Sequence, residues 1–167
     1  MTRTLVVQHL ARIEGHAGIT VELDGRAIKD VRFDVIEGMR LFEALVVGRE
    51  ASEVPGIVSR ICAICSHGHA ITALHAIERA FAVPVSEQTR RLRELVFHGS
   101  AIESHALHAF CLALPDFVGC ASVIELARLD PVTVATALRL KKLGNTVQEV
   151  IGGRAVHPVN YMIGGFG

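Results

Sequence analysis

The sequence has no tryptophan, a single tyrosine and only 5% aromatic residues over its 167 positions. A core drawn from it is aliphatic and alanine-rich, which suits packed helices. Net charge is also missing, with 17 basic against 17 acidic side chains. No basic stripe points to nucleic acid, and no acidic tail points to a solvating arm. No apolar run reaches the roughly 20 residues of a membrane-spanning helix, so no direct membrane insertion is expected. Met1-Thr2-Arg3-Thr4 leads straight into a short apolar run, with no h-region and no cleavage site. The cysteines are only four, at positions 62, 65, 111 and 120. Without a secretory signal they read as thiols kept for chemistry or packing in a reducing, cytoplasmic compartment, rather than as a disulfide framework.

Half of the chain is hydrophobic, ample for a core, and the length fits one domain. Residues 4–36 read as β. Ile19, Val21 and Leu23 alternate with polar neighbours, Asp24-Gly25 marks a tight turn, and Val31, Phe33 and Val35 resume the alternation. Two half-buried antiparallel strands are expected. From Gly38 the period becomes helical: Leu41, Phe42, Leu45 and Val46 predict a short helix ending at Gly48. Residues 49–68 are turn-rich. Ile71, Leu74, Ile77 and Phe81 predict the next helix, which Pro84 ends. Ser86 caps a long helix to about Leu114, apolar nearly all round from Ala106 onward and so expected to be buried on several sides. Asp130-Pro131 opens another, which runs to Ile151 and stops at Gly152-Gly153. The fold class is α+β: an N-terminal antiparallel β element followed by a bundle of long helices. Gly164-Gly165-Phe166-Gly167 reads like a chain cut in mid-domain.

Cys62-Ala63-Ile64-Cys65 carries the clearest chemistry. Two thiolates three positions apart can face one metal or form a redox disulfide, and two buried packing cysteines are the plain alternative. Arg60 would favour the thiolate form through its charge. A structural zinc site needs four ligands, and Cys111 and Cys120 have the wrong spacing to complete one. A thioredoxin-like dithiol wants a preceding strand, which Ser59-Arg60-Ile61 does not follow. Glu14 reads either as a proton-relaying carboxylate or as an ordinary loop residue. Glu43, one helical turn from Arg40, reads as a salt-bridged helix residue. His98, Glu103 and His105 lie in the long helix, where the two histidines are read as core or interface groups. Residues 152–158 lack the lysine and hydroxyl of a phosphate loop and follow a helix, so that reading is rejected.

Taken together, these pieces resemble the large subunit of [NiFe] hydrogenases. Arg12-Ile13-Glu14-Gly15-His16 is similar to that family's N-terminal signature, and Arg40-Leu41-Phe42-Glu43 to its arginine-to-glutamate helix motif. Residues 60–69, RICAICSHGH, resemble its first cysteine motif, R-x-C-G-x-C-x-x-x-H. Residues 104–117 and 153–160 resemble stretches of the cytoplasmic, multisubunit branch. The resemblance implies reversible cleavage of H2 at a nickel–iron centre whose iron carries carbon monoxide and cyanide. It implies Cys62 as a terminal nickel ligand, Cys65 as a nickel–iron bridge, and His69 hydrogen-bonded near the bridging sulfur. It implies Glu14 in proton transfer, Glu43 at a magnesium ion and, for a partner, an iron–sulfur small subunit.

Two departures stand out. Ala63 replaces the more usual glycine, which would cost on the order of 1 kcal/mol if the backbone needs a positive φ there. The family's second pair, D-P-C-x-x-C-x-x-H, is absent. The chain is therefore expected to be an N-terminal portion, residues 1–167, as a partial sequence, a truncation or one piece of a split subunit, with the other ligands supplied from elsewhere, and to be inactive alone. Two other readings stay open. One is a cysteine-containing relative of the quinone-binding subunit of respiratory NADH dehydrogenase, a family that lacks the pair. The other is a metal-free scaffold.

Overall fold

A computed structural model of the chain describes residues 2–11 and 13–167; Arg12, part of the N-terminal signature, lies outside them. The described chain divides into two units, residues 1–41 and 42–167. The first is a three-stranded antiparallel meander. Strands β1 (Thr2–Val7), β2 (Ala17–Asp24) and β3 (Ala27–Val35) are ordered β1-β2-β3. Asp24 pairs with Ala27 across the expected turn, and the register shifts between Glu22 and Leu23, a bulge that bends the hairpin. The expectation of two strands is short by one, because Thr2–Val7 pairs along β2 from Thr2↔Asp24 to Val7↔Ile19. Only β2 is covered: β1 and β3 are exposed along their length, Val31 and Phe33 included. The alternation therefore reports the pairing but not the burial.

The second unit is helical. It follows helix α1 (Met39–Val46), whose residues fall on both sides of the division, with α2 (Val54–Val58), α3 (Ser66–Ala80) and α4 (Glu87–Ala106). Ser86 caps α4 by accepting the Thr89 N–H at 3.1 Å. The long helix then changes pitch. Residues Leu107–Ala113 are π-helical before α5 (Leu114–Phe117). Ala106 is buried but no residue of the π segment is, so this apolar stretch is only partly covered within the described chain. A helix without a counterpart in the sequence reading, α6 (Val123–Leu129), is capped by Ser122, while Glu125 accepts the Ala121 N–H at 2.7 Å. α7 (Pro131–Gly152) starts as expected, with Asp130 accepting the Thr133 N–H at 3.0 Å, and ends on a left-handed Gly153. A two-residue hairpin, β4 (Tyr161–Met162) with β5 (Gly165–Phe166), follows.

The helical unit is organised by the crossing of α4 and α7. Gly99 and Gly144 meet there: a methyl on Gly144 would lie 2.5 Å from the Gly99 carbonyl oxygen and 2.7 Å from the Glu103 amide nitrogen. Both positions are glycine because the two backbones occupy the space a side chain would need. Leu74, Val96 and Ala137 fill the apolar core of this unit. Two buried carboxylates cross-link the helices. Glu103 on α4 accepts from Lys141 at 2.9 Å and from Gln148 at 2.6 Å, both on α7. Glu78 on α3 takes a bidentate pair of 2.8 Å bonds from Arg93 on α4 and a third from the Gly164 N–H. Burial raises both carboxyls, but Gln148 and Lys141 for Glu103, and Arg93 and Gly164 for Glu78, more than offset it, so both titrate below the ordinary carboxylate range.

Large apolar side chains remain outside. Phe117 is 86% exposed and Val132 72%, with Ile124 and Leu129 close behind. Among the described residues, no helix is long and apolar enough to cross a membrane. Gly144→Ala should force the α4–α7 crossing apart and cost about 1–3 kcal/mol. Urea unfolding of the purified gene product reads this directly, and an unchanged midpoint would mean the helices do not cross at Gly144.

Candidate metal-binding thiol site

Both cysteines of the pair sit on the turn between α2 and α3. α2 stops at Ser59, whose hydroxyl donates back to the Gly56 carbonyl at 2.9 Å. Cys65 is the residue that caps the start of α3. The chain between them folds over so that the Cys62 and Cys65 sulfurs meet as a disulfide, with their Cα atoms 5.4 Å apart. The backbone N–H of Cys65 points at the Cys62 sulfur, 3.2 Å away. A hydrogen-bond donor and the positive end of a helix both favour sulfur in its anionic, ligand form. Arg60, expected to supply that charge, turns back on α2 and donates to the Gly56 carbonyl at 2.5 Å. Among the described non-glycine residues only Ala82 and His157 have positive φ, so Ala63 carries no left-handed strain.

Cys62, Cys65 and His69 are each half-buried. Cys65 and His69 line one open cleft of about 430 Å³, walled by Val58, Ile61, Thr72 and Ala76. His69 reaches it because its backbone N–H bonds to the Cys65 carbonyl at 3.1 Å, one turn into α3. The disulfide, through Cys65, and the His69 imidazole thus border one cleft. Glu14 lies exposed in the β1–β2 loop of the first unit, and Glu43 lies exposed on α1. His98 and His105 are exposed rather than core residues, and they line a groove with Ala101, Ile102 and Leu140. Cys120 is buried and Cys111 half-buried.

The residues that build the site from behind are not legible in the sequence. His67, fully buried, donates from Nε2 to the Arg154 carbonyl at 3.0 Å and accepts from the Tyr161 hydroxyl at Nδ1, 2.7 Å away. These partners fix one neutral tautomer. Burial lowers the His67 pKa below its ordinary 6.5 and raises that of Tyr161. The available signals are Ser66-His67 directly after the second cysteine and the lone tyrosine of the chain.

Once reduced, the cysteine pair could offer two donors to a soft metal ion. Sulfur pairs suit copper, zinc and iron–sulfur centres, and the two sulfurs here converge beside an open cleft, as ligands to one ion must. Among the described residues no group of three or more metal-binding side chains converges, so the pair accounts for two ligands and no more. The fold is α+β, and its helical unit carries a convergent cysteine pair. The chain belongs to the nickel-dependent hydrogenase family, whose model matches residues 40–137; a second model, described as HoxL-like, matches residues 4–37. It is 39% identical to the alpha subunit of sulfhydrogenase 1 of Pyrococcus furiosus over 98% of its length and 38% of the relative's. It is 40% identical to the alpha subunit of sulfhydrogenase 2 of the same organism, over 96% of this chain and 39% of that one. Among solved structures, an NAD+-reducing [NiFe]-hydrogenase in the H2-reduced state matches with a TM-score of 0.80 at 31% identity, over 98% of this chain and 38% of that one. The chain therefore spans about two fifths of the length of these relatives.

His67 makes the site acid-sensitive in a defined direction. Its folded pKa lies below 6.5, so the unfolded chain binds the extra proton first. Its contribution to stability is present above about pH 6.5 and is lost as the pH falls below that value. The melting temperature of the purified gene product should begin to fall there, before the carboxylates titrate, and His67→Gln should remove this first decline.

Proposed function

We propose that this chain supplies the first cysteine pair of a hydrogenase large subunit that cleaves H2 reversibly. The observation that carries this reading is the convergence of Cys62 and Cys65 beside His69 at the start of α3, in a chain of the nickel-dependent hydrogenase family. Reduced to thiolates, Cys62 and Cys65 would hold the metals, Cys62 serving nickel and Cys65 serving both nickel and iron. The nickel–iron centre, with carbon monoxide and cyanide on iron, supplies the heterolytic cleavage of H2 when bound. The remaining ligands come from a second cysteine pair carried by the rest of the protein.

The other residues serve that pair. The Cys65 N–H stabilises negative charge on the Cys62 sulfur, and His69 donates a hydrogen bond near the bridging sulfur and fixes its orientation. Glu14 takes the proton released from H2, because a carboxylate can accept and pass a proton where an amide cannot. Glu43 binds a magnesium ion that ties the N-terminal part to the chain's far end. The exposed apolar faces around Phe117, Ile124 and Val132 pack against two neighbours. One is the C-terminal remainder of the large subunit; the other is an iron–sulfur small subunit, which passes the electrons on. The assembly is cytoplasmic.

Cys62→Ser and Cys65→Ser, made in the complete gene product with its partner subunits, should each abolish nickel retention, measured by metal analysis after gel filtration. Nickel held at the parent level by both variants would end the ligand assignment. Glu14→Gln should keep nickel and iron and lose most of its turnover, on the order of a hundredfold or more. Full hydrogen oxidation by that variant would remove Glu14 from the proton path.

A further inference from the structure

The cysteine turn is held by a distant stretch of chain. Its two flanks are Ser59, three residues before Cys62, and Ser66-His67, directly after Cys65. All three are buried. His157 bonds to both flanks at once. Its ring Nδ1–H donates to the Ser59 carbonyl at 3.0 Å, and its backbone N–H donates to the Ser66 hydroxyl oxygen at 3.1 Å. On either side of His157 the hold is repeated on His67, by the Tyr161 hydroxyl after it and by the carbonyl of Arg154 before it.

This stretch is itself tied down. The N–H groups of Val159 and Asn160 donate to the Gly152 carbonyl at 3.0 and 3.2 Å, and the Asn160 side chain donates to the Ile151 carbonyl at 3.2 Å. Gly152 has no room for a side chain, since a methyl there would lie 2.5 Å from His67 Cε1. His157 sits at φ +55°, in the left-handed region that a non-glycine residue leaves unless its surroundings hold it. His67 is not placed to relay protons: one nitrogen faces a carbonyl, which has no proton to give, and the other is occupied by Tyr161.

We propose that residues 154–161 form a strap that positions the Cys62–Cys65 turn, with His157 as the positioning residue that clamps the two flanks together. It deepens the nickel-ligand reading and rests on that reading only for its consequence in metal capture. A turn closed at both ends keeps two sulfurs within reach of each other, so neither ligation nor disulfide closure has to order the loop first. Releasing one flank lowers the effective concentration of each sulfur at the other.

The test uses the complete gene product prepared without nickel, with its thiols equilibrated in mixtures of reduced and oxidised glutathione. Two glutathione thiols reduce the Cys62–Cys65 bond to two thiols and leave as one glutathione disulfide. The fraction closed is read by alkylation and mass spectrometry. His157→Ala should weaken closure about tenfold, about 30 mV in potential. His157→Asn should restore most of it, because the asparagine amide offers an N–H near the position of Nδ1 and tolerates a left-handed backbone. Val96→Ala, a core truncation in α4, should lower stability without moving the equilibrium. An unmoved equilibrium in His157→Ala, or an equal shift in Val96→Ala, overturns the strap. If His157→Ala does not fold, Ser66→Ala takes its place, with a shift of several-fold expected and none overturning the proposal. Nickel analysis of the metal-loaded parent keeps the two readings apart. A parent without nickel defeats the ligand reading and leaves the strap to be judged by glutathione, whereas bound nickel with an unmoved equilibrium defeats the strap alone.

Discussion

The contact between the end of α7 and the start of α3 sets the geometry of the thiol turn. α7 must end on glycine, because His67 fills the space beside Gly152, and Gly153 then turns the chain left-handed so that residues 154–161 run back across the cysteine loop. This arrangement requires α7 to lie at the right depth, which the Gly99–Gly144 crossing with α4 fixes. A side chain at either glycine would move the end of α7, and with it every bond that residues 154–161 make to Ser59, Ser66 and His67.

Polar groups, more than apolar ones, specify this part of the molecule. The apolar core is small and its side chains are aliphatic, which gives cohesion with little directional preference. The Glu78–Arg93 and Glu103–Lys141–Gln148 sets supply direction, because a buried carboxylate left without its donors is costly. Glu78 also accepts from Gly164, so the pair that joins α3 to α4 holds the terminal hairpin as well. Tyr161 of that hairpin then completes the hydrogen bonding of His67. The charged network and the thiol turn are in this way mechanically continuous.

Much of this is readable from the sequence, and the remainder is hidden for physical reasons. The spacing of Cys62 and Cys65, the cap at Ser86, and Asp130-Pro131 are local signals, and local signals are enough for the turn, α4 and α7. Strand β1 does not stand out as a separate element, because the apolar run after Thr4 has no clean alternation of its own; its pairing with β2 defines it. α6 is seven residues long and carries too little periodicity to be noticed. The π segment has the composition of a buried helix, and only the backbone shows the change of pitch. Proximity in sequence assigns Arg60 to the thiols, yet its hydrogen bond goes to Gly56. The strap cannot be read at all, because His157 and Tyr161 meet Ser66 and His67 across 91 and 94 residues, and no periodicity reports such a contact.

Ligation of nickel by the Cys62–Cys65 turn is what the proposed function depends on. X-ray absorption at the nickel edge of the complete, metal-loaded gene product tests this most directly, because it counts the sulfur atoms bound to the metal. A sulfur-rich shell is expected, one that loses sulfur scattering when either cysteine is replaced by serine. Nickel bound only by nitrogen and oxygen, or a shell that stays the same in both variants, would contradict it.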